Sequence, residues 1–434
     1  AGAVTLWSGC SAKKQTEYYI TGQLALIDAS SGAVHRVGQP AMIDDVDPSP
    51  DGKYFRVTVV DKPFYYIVPL ASFARSQELW DATGRTVARL AEQPARLTDD
   101  RDDVPASERA AADTVARDFT WLPDGSGLAY LKQDPAPNRA GSDSSAESGG
   151  APGARGPRRK DHLYAWAPPF DSASRKELLA SDNRIGSVLF SDDAKMAFVA
   201  ENAAGTGHVY AVYFAQPEKR YTIWRLRGLD ASVGGGRRGF FGGGRGGTGA
   251  DSVTFYENPG SIMMKPGRSG ADVALLSPDG NFAYLQGVHY DKDWEHHAPR
   301  GFVDRVEIRT GRKTSVFEGA PDVYETVTAA LDDSLSRVIV ERQSPTMVPD
   351  SYLRDVSSGQ MKNVTGNTDY VPEFTHAQRK RIWVTRADGY RFLVNLTLPE
   401  DYKEGTRLPA MFWFYPYEYT DEGGYLRTLR TENI

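Results

Sequence analysis

Short apolar runs, each entered through a tight polar turn, organise this sequence. Leu276-Ser277-Pro278-Asp279-Gly280 leads into Phe282-Ala283-Tyr284-Leu285. Pro278 presets φ for the second turn position, Asp279 can bond back to nearby backbone N–H groups, and Gly280 suits a left-handed position. The run that follows is apolar at consecutive positions, as expected of a strand covered on both faces. The unit recurs. Ser49-Pro50-Asp51-Gly52 precedes Tyr54-Phe55-Arg56-Val57, Leu122-Pro123-Asp124-Gly125 precedes Leu128-Ala129-Tyr130-Leu131, and Ser191-Asp192-Asp193-Ala194 precedes Met196-Ala197-Phe198-Val199. A worn copy, Asp332-Asp333-Ser334, precedes Val338-Ile339-Val340.

A second, more polar pattern lies between these units. Leu24-Ala25-Leu26-Ile27-Asp28, Ser30-Ser31-Gly32 and Val34-His35-Arg36-Val37 read as strand, turn and strand. Copies sit at Glu78 to Asp81 with Gly84, at Arg305 to Ile308 with Gly311, and at Tyr352 to Asp355 with Gly359. One inner hairpin and one outer hairpin together make a four-stranded antiparallel sheet. The turn aspartates at 51, 124, 193, 279 and 333 are spaced wider than the roughly 40–50 residues of a propeller blade, so each unit carries inserted loops. The pattern predicts an all-β chain: a β-propeller of four-stranded antiparallel blades, about six of them visible. Only Ser107 to Val115 reads as helix-like. Asp134 to Lys160 is rich in Gly, Ser, Ala and Pro, and the 231–250 stretch holds Gly234 to Gly249, nearly all Gly and Arg. Both are loop insertions by composition.

After Tyr370 the rhythm changes. Ile382 to Thr385, Ala387-Asp388-Gly389 and Phe392 to Leu398 read as a hairpin, followed by a linker from Glu400 to Arg407. Leu408-Pro409-Ala410-Met411-Phe412-Trp413-Phe414-Tyr415-Pro416 then reads as a central buried strand. The expected division is a propeller over 1–375 and the incomplete start of a second domain over 376–434.

Composition narrows the function classes. With 40% hydrophobic and 25% charged residues, the 434-residue chain is ordinary for a globular protein. A net charge of −6 argues against a general binder of nucleic acid or anionic membranes, and no apolar run is long enough for a membrane helix. The single cysteine, Cys10, excludes an internal disulfide and a zinc-cysteine cluster. The missing initial Met and the polar ending Arg430 to Ile434 read as a fragment of a longer protein.

Arg386-Ala387-Asp388-Gly389-Tyr390, Leu398-Pro399-Glu400-Asp401-Tyr402, Leu408-Pro409-Ala410 and Phe412 to Pro416 resemble the beginning of the α/β-hydrolase domain in the prolyl oligopeptidase family of serine peptidases. The likeness is to the glutamyl-endopeptidase-like branch. Tyr18-Tyr19, Gln23 to Asp28, Asp47 to Tyr54 and Pro63-Phe64 resemble that branch's amino-terminal propeller. The resemblance implies seven blades, a propeller that admits substrates by size, peptide substrates, and partnership with the chain's own hydrolase domain. It implies no cofactor or metal. It also implies a Ser/Asp/His triad with Ser in a Gly-x-Ser-x-Gly turn, and no such string occurs here. Gly267-Arg268-Ser269-Gly270-Ala271 fails at its last position. The family's place for an oxyanion-donating tyrosine falls on Tyr415, followed here by Pro416-Tyr417 as in that branch. Exported bacterial enzymes are common in the family, which favours a periplasmic or secreted location.

Other motifs carry less. Gly234 to Gly239 matches Gly-x-Gly-x-x-Gly but neither follows a strand nor opens a helix. Asp291-Lys292-Asp293-Trp294-Glu295-His296-His297 gathers metal-capable side chains without a ligand spacing. The alternative function is a TolB-like propeller used for protein interaction, which the Pro-Asp-Gly turns suit equally well.

Overall fold

The computed structural model describes residues 17–64, 68–96, 114–135, 159–227, 231–233, 257–291, 293 and 297–413. The chain forms two compact units. One holds residues 1–225 with 230–234 and 264–274, and the other holds 226–229, 235–263 and 275–434.

The first unit opens with a two-stranded hairpin, β1 (Gly22–Ile27) and β2 (Val34–Ala41). Three antiparallel four-stranded sheets follow, each with spatial order equal to chain order. The first contains β3 (Ile43–Pro48), β4 (Tyr54–Val60), β5 (Arg75–Asp81) and β6 (Thr86–Gln93). The second contains β7 (Arg117–Trp121), β8 (Leu128–Gln133), β9 (Asp161–Trp166) and β10 (Arg175–Ser181). The third contains β11 (Ile185–Phe190), β12 (Met196–Ala203), β13 (Thr206–Tyr213) and β14 (Arg220–Arg227).

In the second unit, β15 (Ser261–Ile262) starts a fourth sheet. The chain then leaves to form the hairpin β16 (Met264–Pro266) and β17 (Asp272–Ala274), which belongs to the first unit. It returns at Leu275, whose N–H donates to Met263 O, and closes the sheet with β18 (Phe282–His289), β19 (Arg300–Glu307) and β20 (Lys313–Glu318). A fifth sheet holds β21 (Tyr324–Ala330), β22 (Arg337–Ser344), β23 (Met347–Asp355) and β24 (Met361–Asn363). A short helix, α1 (Pro372–Thr375), precedes the hairpin β25 (Gln378–Thr385) and β26 (Arg391–Leu398). These consecutive four-stranded meanders are propeller blades, so the expected all-β class is borne out. The helix-like stretch from Ser107 falls mostly outside the described residues.

The corner turns lead into the second strand of each blade, and those of the first, third and fourth sheets share one set of bonds. Ser49 Oγ donates to Asp51 Oδ1 and accepts from Tyr54 N, while Asp51 also accepts from Lys53 N. Ser191, Asp193, Lys195 and Met196 repeat this set, as do Ser277, Asp279, Asn281 and Phe282. In the fifth sheet Asp332 takes the serine's place and accepts from Ser334, Ser336 and Arg337. The Ser277 hydroxyl, then Asn281, hold the Asp279 carboxyl down at about 2. A carboxyl more acidic in the folded chain stabilises it above its unfolded value near 3.8, and that contribution is lost as pH falls through about 2. Asp279→Ala is therefore expected to lower the urea midpoint at pH 6. The gap to the parent should close between pH 4 and pH 2, and a gap constant with pH would contradict this account of the turn.

The cores lie between consecutive sheets. Leu79, Phe119, Trp121, Leu128, Tyr130 and Trp166 fill the space between the first and second. Leu131, Leu163, Ile185, Phe190, Val199 and Tyr210 do so between the second and third. Tyr284, Val303, Phe317, Val338 and Val340 join the fourth and fifth. β12 is buried at six successive positions, as its unbroken apolar run requires of a strand covered on both faces. Burying each large apolar side chain contributes about 1.5–3 kcal/mol.

Candidate functional site

The sequence-derived candidates are not brought together. Tyr415 lies outside the described residues, as does Gly234 to Gly249. The hairpin expected after Ile382 is present as β25 and β26, closed by a turn in which Gly389 has φ +88 and Arg386 N donates to Tyr390 O. The run expected to be a central buried strand is a correction. Residues 408–413 form no strand, and Met411, Phe412 and Trp413 are 93%, 84% and 91% exposed. A central strand needs a paired neighbour on each side, and no described strand lies beside this run.

Gly267 to Ala271 forms the β16–β17 turn. Gly267 N donates to Ala271 O, and Arg268 pairs with Asp192 through Nε at 2.9 Å. Among the described residues no serine hydroxyl is hydrogen-bonded to a histidine, so Ser269 has no base. Of the Asp291 to His297 group, Asp293 and His297 stand 3.9 Å apart and exposed. Among the described residues no three His, Cys, Asp or Glu side chains could hold one metal ion.

Local patterns do not reveal the irregularities of the first strands. In the first unit these strands carry a β-bulge at Asp44, at Asp118-Phe119 and at Gly186, and in the second unit β21 carries one at Thr328. A bulge throws one residue out of the ladder and re-aims its side chain. Asp44, Asp118, Gly186 and Thr328 are all exposed. Asp118 adopts φ +54, a conformation that aspartate and asparagine tolerate better than most residues.

In the first unit these strands are tied side by side. Trp121 Nε1 donates to Asp47 O at 3.2 Å, joining β7 to β3. Arg56 reaches from β4 to Phe119 O while pairing with Asp47. Asp161, at 0% exposure, clamps the next junction. Its carboxylate takes the Arg117 guanidinium on both oxygens and the Ile185 N–H at 2.8 Å, and Arg117 Nη2 donates to Ile185 O at 3.0 Å. Glu201 behind β11 accepts from Ser181 Oγ at 2.6 Å, Tyr210 Oη at 2.5 Å and Asn183 Nδ2 at 3.1 Å. Burial and the facing Glu201 carboxylate push the Tyr210 phenol far above its ordinary value, so it remains a donor.

Between β7, β11 and β17 lies a groove of about 290 Å³. Its wall includes the apolar Phe119, Trp121 and Leu189, and its polar lining includes Asp118, Thr120, Ser187 and Asp272. Among the described residues no Lys, Arg or His lines it. Ser187 Oγ accepts from Val233 N at 2.9 Å, which leaves its hydroxyl proton to donate. An apolar wall with a few polar groups is the composition of a small-molecule pocket.

The chain is 25% identical over 428 residues to a probable chloroplastic glutamyl endopeptidase of Oryza sativa subsp. japonica, covering 95% of this chain and 41% of that protein. It is 26% identical over 432 residues to the Arabidopsis thaliana counterpart, covering 95% and 40%. The likeness to glutamyl endopeptidases runs over nearly the whole of this chain. It spans about two-fifths of the length of these relatives. Among solved structures, oligopeptidase B from Leishmania major matches with a TM-score of 0.41 at 9% identity, over 88% of this chain and 50% of that one. No family model matches the chain. The match to the rice protein leaves about a twentieth of this chain uncovered, less than the stretch after residue 375, so the family likeness runs into that stretch.

Proposed function

We propose that this chain is the substrate-gating propeller portion of a serine peptidase that hydrolyses peptides by acyl transfer, its nucleophile lying outside these 434 residues. The observation that carries the proposal is the reach of the sequence match. It covers nearly all of this chain, including residues after 375, yet only two-fifths of each glutamyl endopeptidase. A stand-alone TolB-like propeller has no use for the residues after 375, so the match favours the peptidase. On this proposal residues 1–375 are the propeller and 376–434 begin the hydrolase domain. A serine supplied by that domain attacks the peptide carbonyl, a histidine moves the proton, an aspartate orients the histidine, and Tyr415 donates its hydroxyl to the oxyanion. The exposed Met411, Phe412 and Trp413 then await burial against the rest of the hydrolase domain.

The test uses two proteins. The 434-residue chain is expected to show no labelling by a fluorophosphonate probe, whereas the product of its complete reading frame should label and hydrolyse peptides. Labelling of the short chain at a serine would overturn the proposal, as would a complete reading frame that encodes no Gly-x-Ser-x-Gly. In the full-length protein, Tyr415→Phe should lower kcat by about 10²-fold with little change in KM.

A further inference from the structure

We propose that the paired guanidiniums of Arg342 and Arg354, on the fifth sheet, bind a carboxylate of a peptide, carried by an acidic side chain or by a free carboxyl terminus. This rests on the peptidase reading and gives the propeller a point of contact with substrate. The observation is a surplus of positive charge around one buried acid. Glu325 on β21 is 1% exposed. Its Oε1 stands 2.5 Å from Arg342 Nε on β22. Its Oε2 accepts from Ala320 N at 2.9 Å and from Arg354 Nη1, on β23, at 3.5 Å. One carboxylate thus faces two guanidiniums, and one positive charge is left over. The nearest other acids are engaged elsewhere. Asp350, opposite Arg342 in the ladder, accepts from Asn363, Thr365 and Asn367, and Glu318 pairs with Arg300.

The other two buried acid clamps show what the fold alone requires. Asp161 takes Arg117, whose Nη2 also donates to Ile185 O. Glu201 takes Arg220, whose Nη2 donates to Ala180 O at 2.7 Å. In both, a single arginine is spent on the acid and a backbone oxygen. In the fifth sheet, Nη1 and Nη2 of Arg342 and Nη2 of Arg354 have no acceptor among the described residues, and only the Nε atoms are sealed from solvent. The two side chains keep 23% and 21% of their surface open. Arg342 lies over the Tyr352 ring and Arg354 over the Phe317 ring, at 5.4 and 4.9 Å from the centroids. Stacking occupies the flat face of a guanidinium and leaves its in-plane N–H groups free. A carboxylate accepts two such donors side by side and brings the one negative charge that balances the group. A phosphate dianion would exceed that balance, and the chain's net charge of −6 opposes a polyanion.

The experiment is fluorescence anisotropy on the 434-residue chain with three peptides, each dye-labelled at its amino terminus. They are Gly-Ala-Glu-Ala-Glu-Ala amide, Gly-Ala-Gln-Ala-Gln-Ala amide, and the Gln peptide with a free carboxyl terminus. A peptide carrying a carboxylate should bind about fivefold more tightly than the Gln amide at low salt, and the preference should shrink at high salt. Tighter binding of the Glu amide assigns the site to acidic side chains, and tighter binding of the free-terminus peptide assigns it to chain ends. Arg354→Gln and Arg342→Gln each leave Glu325 with one arginine, as in the other clamps. Either variant should keep the parent's unfolding midpoint and lose the preference, whereas Arg354→Lys should retain it. Arg337→Gln removes an exposed charge from the same sheet and should leave the preference intact. Equal affinity for all three peptides overturns the inference. So does a preference that survives both glutamine variants, or a loss as large in Arg337→Gln. Hydrolysis and fluorophosphonate labelling by the full-length protein are read separately. If they persist while the short chain shows no preference, only this contact falls.

Discussion

Asp161→Ala is expected to cost about 3–5 kcal/mol, enough to unfold much of the first unit at 37 °C. Asp161 is fully buried and holds three donors: two nitrogens of Arg117 and the Ile185 N–H. Alanine deletes the acceptor and keeps the donors. Arg117, with 19% of its side chain exposed, loses its buried counter-charge and keeps only the exposed Asp118 at 3.5 Å, and the Ile185 N–H loses its partner. An orphaned buried donor costs about 1–3 kcal/mol by itself, and an unpaired buried charge costs more. Restoring shape without charge should recover much of the loss, so Asp161→Leu combined with Arg117→Met is expected to be more stable than Asp161→Ala alone. Urea melts followed by tryptophan fluorescence will report this, because Trp121 and Trp166 pack in the adjoining core. A loss under 1 kcal/mol for Asp161→Ala would show that this clamp does not hold the second and third sheets together.

The blades were legible because their turns are local chemistry. An aspartate and a residue with positive φ mark each corner, joined by a serine two residues before the aspartate in the first, third and fourth sheets, and the apolar run after it reports burial on both faces. The outer hairpins at Asp28, Asp81, Glu307 and Asp355 were equally readable, since in each a glycine N–H donates to the acidic residue's backbone oxygen. The outer hairpins of the second and third blades were not. Their turns, Ala167 to Ser174 and Phe214 to Lys219, lack that acidic-to-glycine spacing, and Phe170 takes φ +65 where glycine would be the expected signal.

The groove escaped for a different reason. A bulge depends on the register between two strands, which no single strand encodes, and Asp118 reads along the chain as one more polar residue. The buried acids escaped likewise. Asp161, Glu201 and Glu325 look like surface charges until the fold sets Arg117, Tyr210 and the pair Arg342 and Arg354 against them. The run from Leu408 misled in the opposite direction. Its apolar character demands burial, but that burial requires partners that the described residues do not supply.

Gly301→Ala should be the most damaging glycine change in the second unit, at about 3 kcal/mol or more. A Cβ on Gly301 would stand 2.1 Å from Glu325 O and 3.1 Å from the Glu325 carbonyl carbon and Thr326 Cα. All of these are backbone atoms, so no side chain can rotate away. Gly301 is also fixed from its own sheet, since the Gly319 N–H donates to Gly301 O and Arg300 Nε donates to Gly319 O. Glu325 is held from the other side by Arg342 at 2.5 Å and Arg354 at 3.5 Å, so its strand cannot retreat without stretching a buried ion cluster. Gly280→Ala tests the opposite case. Nothing lies within 4 Å of its Cβ, and the cost is confined to a φ of +69, about 1–2 kcal/mol. The chain itself accepts that cost, placing Ala194 at φ +53 and Leu335 at φ +56 at the equivalent corners of two other blades. Thermal melts of the two variants should therefore separate clearly, with Gly301→Ala far lower. Equal melting temperatures would mean that the fourth and fifth sheets do not approach through bare backbone at Gly301.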